Sequence, residues 1–258
     1  MIANKKIIYI EPLKNKKRNI VVDEDSVVIE VIDEDSKDFD KFKTNISIAD
    51  NINVEYVYLF NKNITSPIIE DREIKLGINT RLKNYYCYLG SNFTVTLKQQ
   101  LDSHSELDHN VVFLADQKNN LNIQAKNNFL YPKAKGVFTI QGIVKDQARA
   151  GYYSSIIIDQ IAKDANAKLE MSAINLSKEA KISLVPALKV ATNQVNASHS
   201  ARISNLSKKQ LFYLNSRGID KIQAQELLIQ SVFQSFLDKL PNEEIKNKIE
   251  ALLKNKLS

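Results

Sequence analysis

The 258-residue chain has no tryptophan, one cysteine, five prolines and six glycines. The single cysteine, Cys87, excludes an intramolecular disulfide and any cysteine-based zinc or iron–sulfur site built by one chain alone. The few glycines form neither a GxxxxGK[ST] nor a GxGxxG pattern, so both phosphate-cradling loops are missing. If ATP matters to this protein, a partner hydrolyses it. Long apolar runs are missing too. None approaches the roughly 20 residues that span a bilayer as a helix, and the opening segment holds only the short run IIYI, which makes no secretory signal. The expectation is a cytoplasmic protein that does not enter the membrane.

Charge of one sign is not concentrated either. Against 30 Asp and Glu stand 36 Lys and Arg, a net charge of +6, which raises the question of nucleic acid. The basic group Lys14, Lys16, Lys17 and Arg18 is followed by acidic residues from Asp23 to Asp40, and the last lysines alternate with Glu243, Glu244 and Glu250. No aromatic–basic pattern of the single-strand-binding kind accompanies them. The charges read as solvated faces, and no nucleic-acid partner is expected.

What the chain does contain is a long succession of short strands. KKIIYIE, NIVV and SVVIEVI are β-branched runs separated by KNKKR and by the repeated tetrapeptide DEDS at Asp23–Ser26 and Asp33–Ser36. DEDS lacks the offsets, glycine and terminal glutamate of a calcium loop and reads as turn sequence. From Tyr85 to Ile203 the runs FTVTLKQQL, HNVVFLA, GVFTIQGIV and AKISLVPALKV continue the same rhythm, with small residues recurring at the corners. Both a β-sandwich and a stacked solenoid fit this pattern, and the repeated corner alanines favour the solenoid. After Ile203 the period changes to that of helices. Ser207 is expected to cap a short helix that ends at Gly218, and Asp220 a longer one that Pro241 stops.

Four elements occur in a characteristic order: NLSKEA (Asn175–Ala180), PALKV (Pro186–Val190), SHSA (Ser198–Ala201) and LFYLNSRGI (Leu211–Ile219). Together they resemble the C-terminal core of the SufB/SufD family, the scaffold subunits of the SUF iron–sulfur cluster assembly machine. KAKGVFTIQGIV (Lys133–Val144) is similar to a further family signature. The resemblance covers roughly the second half of the chain. It implies a mainly β protein, a right-handed parallel β-helix with a small C-terminal helical domain. On this reading residues 1–80 form an N-terminal β-rich region, 81–205 the β-helix core and 206–258 the helical domain.

The same resemblance assigns roles. SufD-type members carry a histidine in a C-S-H-G motif at the subunit interface. Here the motif reads ASHS, so His199 matches the histidine while Ala197 replaces the cysteine and Ser200 the glycine. The chain therefore reads as a SufD-like, non-catalytic scaffold with no stably bound cofactor. A transient iron–sulfur cluster is expected at an interface near His199, which is also the expected metal ligand. The implied partners are a SufC-type ABC ATPase and a SufB-like paralogue or a second copy of the chain. Leu228, Val232, Phe233, Phe236 and Leu237 fall on one helical face and are the expected ATPase-docking residues, unless that face packs against the solenoid. Two other readings remain: a SufB-like homodimeric scaffold, and a β-helix carbohydrate-active enzyme. The latter needs a carboxylate pair along a groove, for which the sequence offers no acidic pair in the right surroundings. His104 and His109, with Asp102, Glu106 and Asp108, raise metal binding, and Cys87 reads as a small buried hydrophobe.

Overall fold

The computed structural model describes residues 5–11, 15–33, 40–62, 67–89, 92–206 and 208–257. In chain order the strands are β1 (Lys6–Ile10), β2 (Lys17–Val22), β3 (Ser26–Ile32), β4 (Lys41–Ile48), β5 (Asn53–Phe60), β6 (Ile68–Leu76) and β7 (Arg81–Leu89). They continue with β8 (Phe93–Leu101), β9 (Glu106–Ala115), β10 (Asn120–Phe129), β11 (Lys135–Val144), β12 (Arg149–Ile158), β13 (Ala165–Asn175), β14 (Lys181–Val190) and β15 (Val195–Asn205). Helices α1 (Lys208–Asn215), α2 (Lys221–Leu237) and α3 (Glu243–Leu257) follow. The Ser207 cap and most of the second DEDS lie outside the described residues.

Each strand pairs in parallel with the strand two places on, so among the described residues the odd-numbered strands build an eight-stranded sheet and the even-numbered strands a seven-stranded one. The chain therefore winds as a solenoid, one strand to each sheet per coil. Asn53, Arg81, Glu106, Lys135 and Asn166 are in-register positions of one stacked row. The solenoid expectation holds and the sandwich is set aside. The division at residue 80 falls between coils that are hydrogen-bonded in both sheets, β5 to β7 and β6 to β8, so strands β1 to β6 belong to the same solenoid.

The two sheets differ in a way that follows from their sequences. In the even sheet, strands such as β4 alternate exposed and buried residues, the signature of one wet face. In the odd sheet, β3, β5 and the C-terminal halves of β7 and β9 are mostly apolar and buried on both faces. Their inward side chains meet those of the even sheet in a core that runs along the solenoid. Their outward side chains, among them Val57, Cys87 and Val112, form a second cluster with Ile229, Phe233, Phe236, Ile249 and Leu253 of the helices. The C-terminal helices thus lie back over the odd sheet, where parallel strands would otherwise present an apolar face to water.

The scarcity of glycine is met at the corners by other residues. Asn51, Asn79, His104, Lys133 and Asp164 all adopt positive φ at the turns leading into odd strands. Each donates its backbone N–H to a carbonyl of the next coil, as in Asn79 to Ser103 at 3.0 Å and His104 to Pro132 at 3.1 Å. The left-handed conformation thus aims an amide along the solenoid axis, and Asn and Asp tolerate it best among non-glycine residues. The buried corner alanines Ala134, Ala148, Ala162 and Ala180 fill the space beneath.

Candidate functional site

The solenoid ends without a cover. β15 pairs only with β13 and β14 only with β12, so among the described residues the last strand of each sheet has one free edge. Pro186 stands in β14, an edge strand, where a missing N–H is tolerated. Neither edge strand is charged heavily enough to repel a neighbour, and both are long.

The face behind these edges is apolar. The register places Ala197, His199 and Ala201 of β15 on the pleat face shared with Ala167, Leu169 and Met171, which point into the core. On β14 the corresponding inward row is Leu184, Pro186, Leu188 and Val190. Leu184 and Ala197 pack partly on the core, whereas Leu188, Val190 and Ile203 remain exposed. His199 is exposed in the middle of this apolar floor. An interior wall of the solenoid is therefore laid open at one end, with a free imidazole and two rows of unpaired backbone groups. Neutral imidazole ligates iron and other borderline metals, so His199 is chemically able to meet a metal presented from across the edge.

The other expected metal residues do not meet. His104 occupies an exposed corner, its Nδ1 2.7 Å from Ser103 Oγ. His109 points into the core and is fully buried, with the imidazole pKa lowered by burial to about 3. Asp102 is used locally, accepting from Ser103 N at 2.6 Å, and Glu106 bridges Arg81 and Lys135 on the outer face. Among the described residues no group of three His, Cys, Asp or Glu side chains is placed to hold a metal. Cys87 is fully buried beneath the helices, and burial pushes its thiol pKa up, so the thiol is held in its unreactive form.

The expected docking face of α2 needs correction. Phe233, Phe236 and Leu237 are fully buried against the odd sheet, and Leu228 and Val232 pack partly on the same cluster. Tyr85 meets Phe236 edge-on at 6.3 Å, and Lys239 Nζ donates to Asn110 Oδ1 at 2.8 Å. The amphipathic stripe is consumed by the sheet because the outer faces of β3 to β9 demand a cover. What the helices leave uncovered is a different set: Phe212 and Tyr213 of α1 and Ile222 and Leu227 of α2. LFYL stands in the sequence as a short apolar run, but only the packing tells which of its side chains stay outside.

The junction between α1 and α2 is as the sequence predicts. Gly218 has φ +81 and its N–H donates to Asn215 O at 3.0 Å. Asp220 caps α2 by accepting from Gln223 N at 2.9 Å, while Gln223 Oε1 accepts from Asp220 N at 3.0 Å.

Residues 11–232 match the family model described as SUF system FeS cluster assembly, SufBD core domain. Among curated proteins, the iron–sulfur cluster assembly protein SufD of Bacillus subtilis is 30% identical over 124 residues, 48% of this chain and 28% of that protein. An iron–sulfur cluster assembly SufBD family protein of Synechocystis sp. is 34% identical over 99 residues, 38% of this chain and 22% of the relative. A SufBD family protein of Staphylococcus saprophyticus is 29% identical over 112 residues, covering 43% of this chain and 24% of the relative. The matched part thus spans about a quarter of the length of these relatives. No helix among the described residues is long and apolar enough to cross a membrane.

Proposed function

The chain belongs to the SufBD core-domain family of SUF iron–sulfur cluster assembly, and from that premise we propose that it is a SufD-like scaffold subunit whose open solenoid end receives a SufB-like partner. The observation that carries this reading is the pair of free parallel edges, β14 and β15, with an apolar floor behind them. A second solenoid docking there would continue both sheets by backbone hydrogen bonds and cover Leu188, Val190 and Ile203. His199 would then lie at the seam, where a cluster under construction is the cargo. The partner's cysteine would hold the sulfur, since Ala197 stands where a thiol would be needed.

The second contact in this proposal is with a SufC-type ABC ATPase, through the helical domain. Phe212, Tyr213, Ile222 and Leu227 are its candidate anchors, as exposed large apolar side chains grouped on two contacting helices. The chain itself would perform no chemistry. Nucleotide hydrolysis in the ATPase would shift the scaffold pair and open the seam near His199.

Co-purification of the tagged chain from its native cell tests both contacts. Leu188→Lys with Val190→Lys is expected to lose a solenoid paralogue and keep the ATPase. Phe212→Ala with Tyr213→Ala is expected to do the reverse. His199→Ala should retain both partners and lose iron recovered with the complex. Capture of the ATPase and a second copy of the chain, without a paralogue, would favour the homodimeric scaffold. Recovery of neither from folded protein would leave the fold assignment and remove the functional one.

A further inference from the structure

Midway along the solenoid, beside the coil that buries Arg72, the interior holds four further fully buried polar side chains: Asn84 on β7, Gln99 on β8, His109 on β9 and Asn127 on β10. All four share the inward pleat face with core residues of their own strands, as Leu82 and Tyr86 do for β7 or Ala125 and Phe129 for β10. Register stacks them in pairs. Asn84 is the partner of His109 in the odd sheet, and Gln99 is the partner of Asn127 in the even sheet. β7 with β8 and β9 with β10 are successive turns of the chain, so the two pairs occupy adjacent coils and line one stretch of interior.

Their hydrogen-bonding capacity is almost unused. Both side-chain polar atoms of Asn84, of Gln99 and of His109 lack a protein partner, as does Oδ1 of Asn127. The Asn127 amide nitrogen is anchored, donating to Ser154 Oγ at 3.2 Å and to Ser155 O at 3.1 Å, which fixes the free Oδ1. Orphaned amides and imidazoles are rare in folded interiors, and this many on four stacked side chains call for a partner that the protein itself does not supply. The set is neutral and balanced: the amides of Asn84 and Gln99 each offer donors and an acceptor, Asn127 adds an acceptor oxygen, and an uncharged imidazole offers one of each. An anion would find no positive charge in it, and a metal no anionic ligand. Arg72, the buried cation of the neighbouring coil, is already committed to Glu30 and Glu70.

We propose that Asn84, Gln99, His109 and Asn127 form an internal site for ordered water, a hydrated seam across two coils of the solenoid. Water is small, neutral and both donor and acceptor, and internal waters typically make about three bonds to such groups. The proposal stands apart from the scaffold reading and would hold for this chain in any role.

A crystal structure of the full chain that shows ordered solvent tests it directly. Water density within hydrogen-bonding distance of at least three of the four side chains is the expected result. Direct amide–amide and amide–imidazole bonds that satisfy the same atoms, with no density between them, would overturn it. Oxygen-17 relaxation dispersion in solution supplies a second reading: wild type should show long-lived internal water, and Asn84→Leu with Gln99→Leu should lose part of that signal. An unchanged signal in the folded variant would also overturn the site. If the variant does not fold, the wild-type density decides alone.

Discussion

Arg72 lies without access to water between two carboxylates, its guanidinium 2.9 Å from Glu30 and 2.7 Å from Glu70. Tyr56 and Arg18 bond the same Glu30, Tyr58 Oη donates to Glu70 at 2.9 Å, and the guanidinium sits 4.2 Å over the Tyr58 ring. Burial alone would raise both carboxyl pKa values. At Glu30 the two arginines outweigh it and hold the group below its ordinary range, whereas at Glu70 burial and the neighbouring Glu30 prevail and the pKa is raised. Removing the cation strands Glu70 and leaves Glu30 with Arg18 as its remaining cation, so Arg72→Leu is expected to destabilise the fold by about 3–5 kcal/mol, read as a lowered urea midpoint. His109 gives a prediction with the opposite kind of lever. Its folded pKa is lowered by burial from 6.5 to about 3, so between those values the unfolded chain binds more protons than the folded one. Its contribution to stability is present above the ordinary pKa and declines as pH falls, by about 1.4 kcal/mol per unit at most. Unfolding of His109→Gln measured from about pH 6 to about pH 4 should be less pH-dependent than wild type by up to that slope. Equal slopes would mean that the imidazole is not desolvated.

At the scale of elements, the helical tail is a strap on the odd sheet. Beyond its apolar contacts it is tied by Gln225 to Leu176 O at 2.9 Å, Lys248 to Asp33 at 2.9 Å and Tyr9 to Glu244 at 2.7 Å. Phe236→Ala opens a cavity under α2 and is expected to cost about 3–5 kcal/mol, measured by denaturant unfolding. The same variant should label faster at Cys87 with a thiol reagent, because that thiol lies in the apolar cluster that the helices cover. An unchanged labelling rate would mean that the helices do not shield it. Much of this level was legible in advance. Gly218 and Asp220 announce the turn and the cap by residue type, since a positive φ and an N-cap are local demands. The destination of the α2 stripe was not. Periodicity identifies an apolar face but carries no information about which surface covers it, and here the sheet claimed Phe233 and Phe236 that were expected to meet a partner. A sequence signal did exist: SVVIEVI, NVEYVYLF and NYYCYL are apolar at both parities, which calls for cover on two faces.

For the whole molecule, the polarity of its two ends matters most. Among the described residues each sheet has a free edge at both ends, β1 and β2 at one and β15 and β14 at the other, but the first coils are bound to the helical tail and built around the Arg72 cluster, while the last coil exposes its inner wall. An uncovered parallel edge with apolar residues behind it invites association. Sedimentation of the isolated chain is therefore expected to show concentration-dependent self-association that Leu188→Lys with Val190→Lys abolishes without lowering the unfolding midpoint. A monomer at all concentrations would mean that this end needs a specific partner surface to pair.

The sequence by itself determined the strand grammar, the change to helix after Ile203, the cap and turn at Gly218 and Asp220, and a family resemblance resting on NLSKEA, PALKV, SHSA and LFYLNSRGI. Each depends on residues close along the chain. Only the tertiary structure decided that strands β1 to β6 belong to the same solenoid, that His109 is buried in the core while His199 stands exposed on the open end, and that the helices cover Cys87. Those outcomes depend on which strand lies beside which, and stacking places residues about a coil apart in direct contact, a relation that no local pattern encodes.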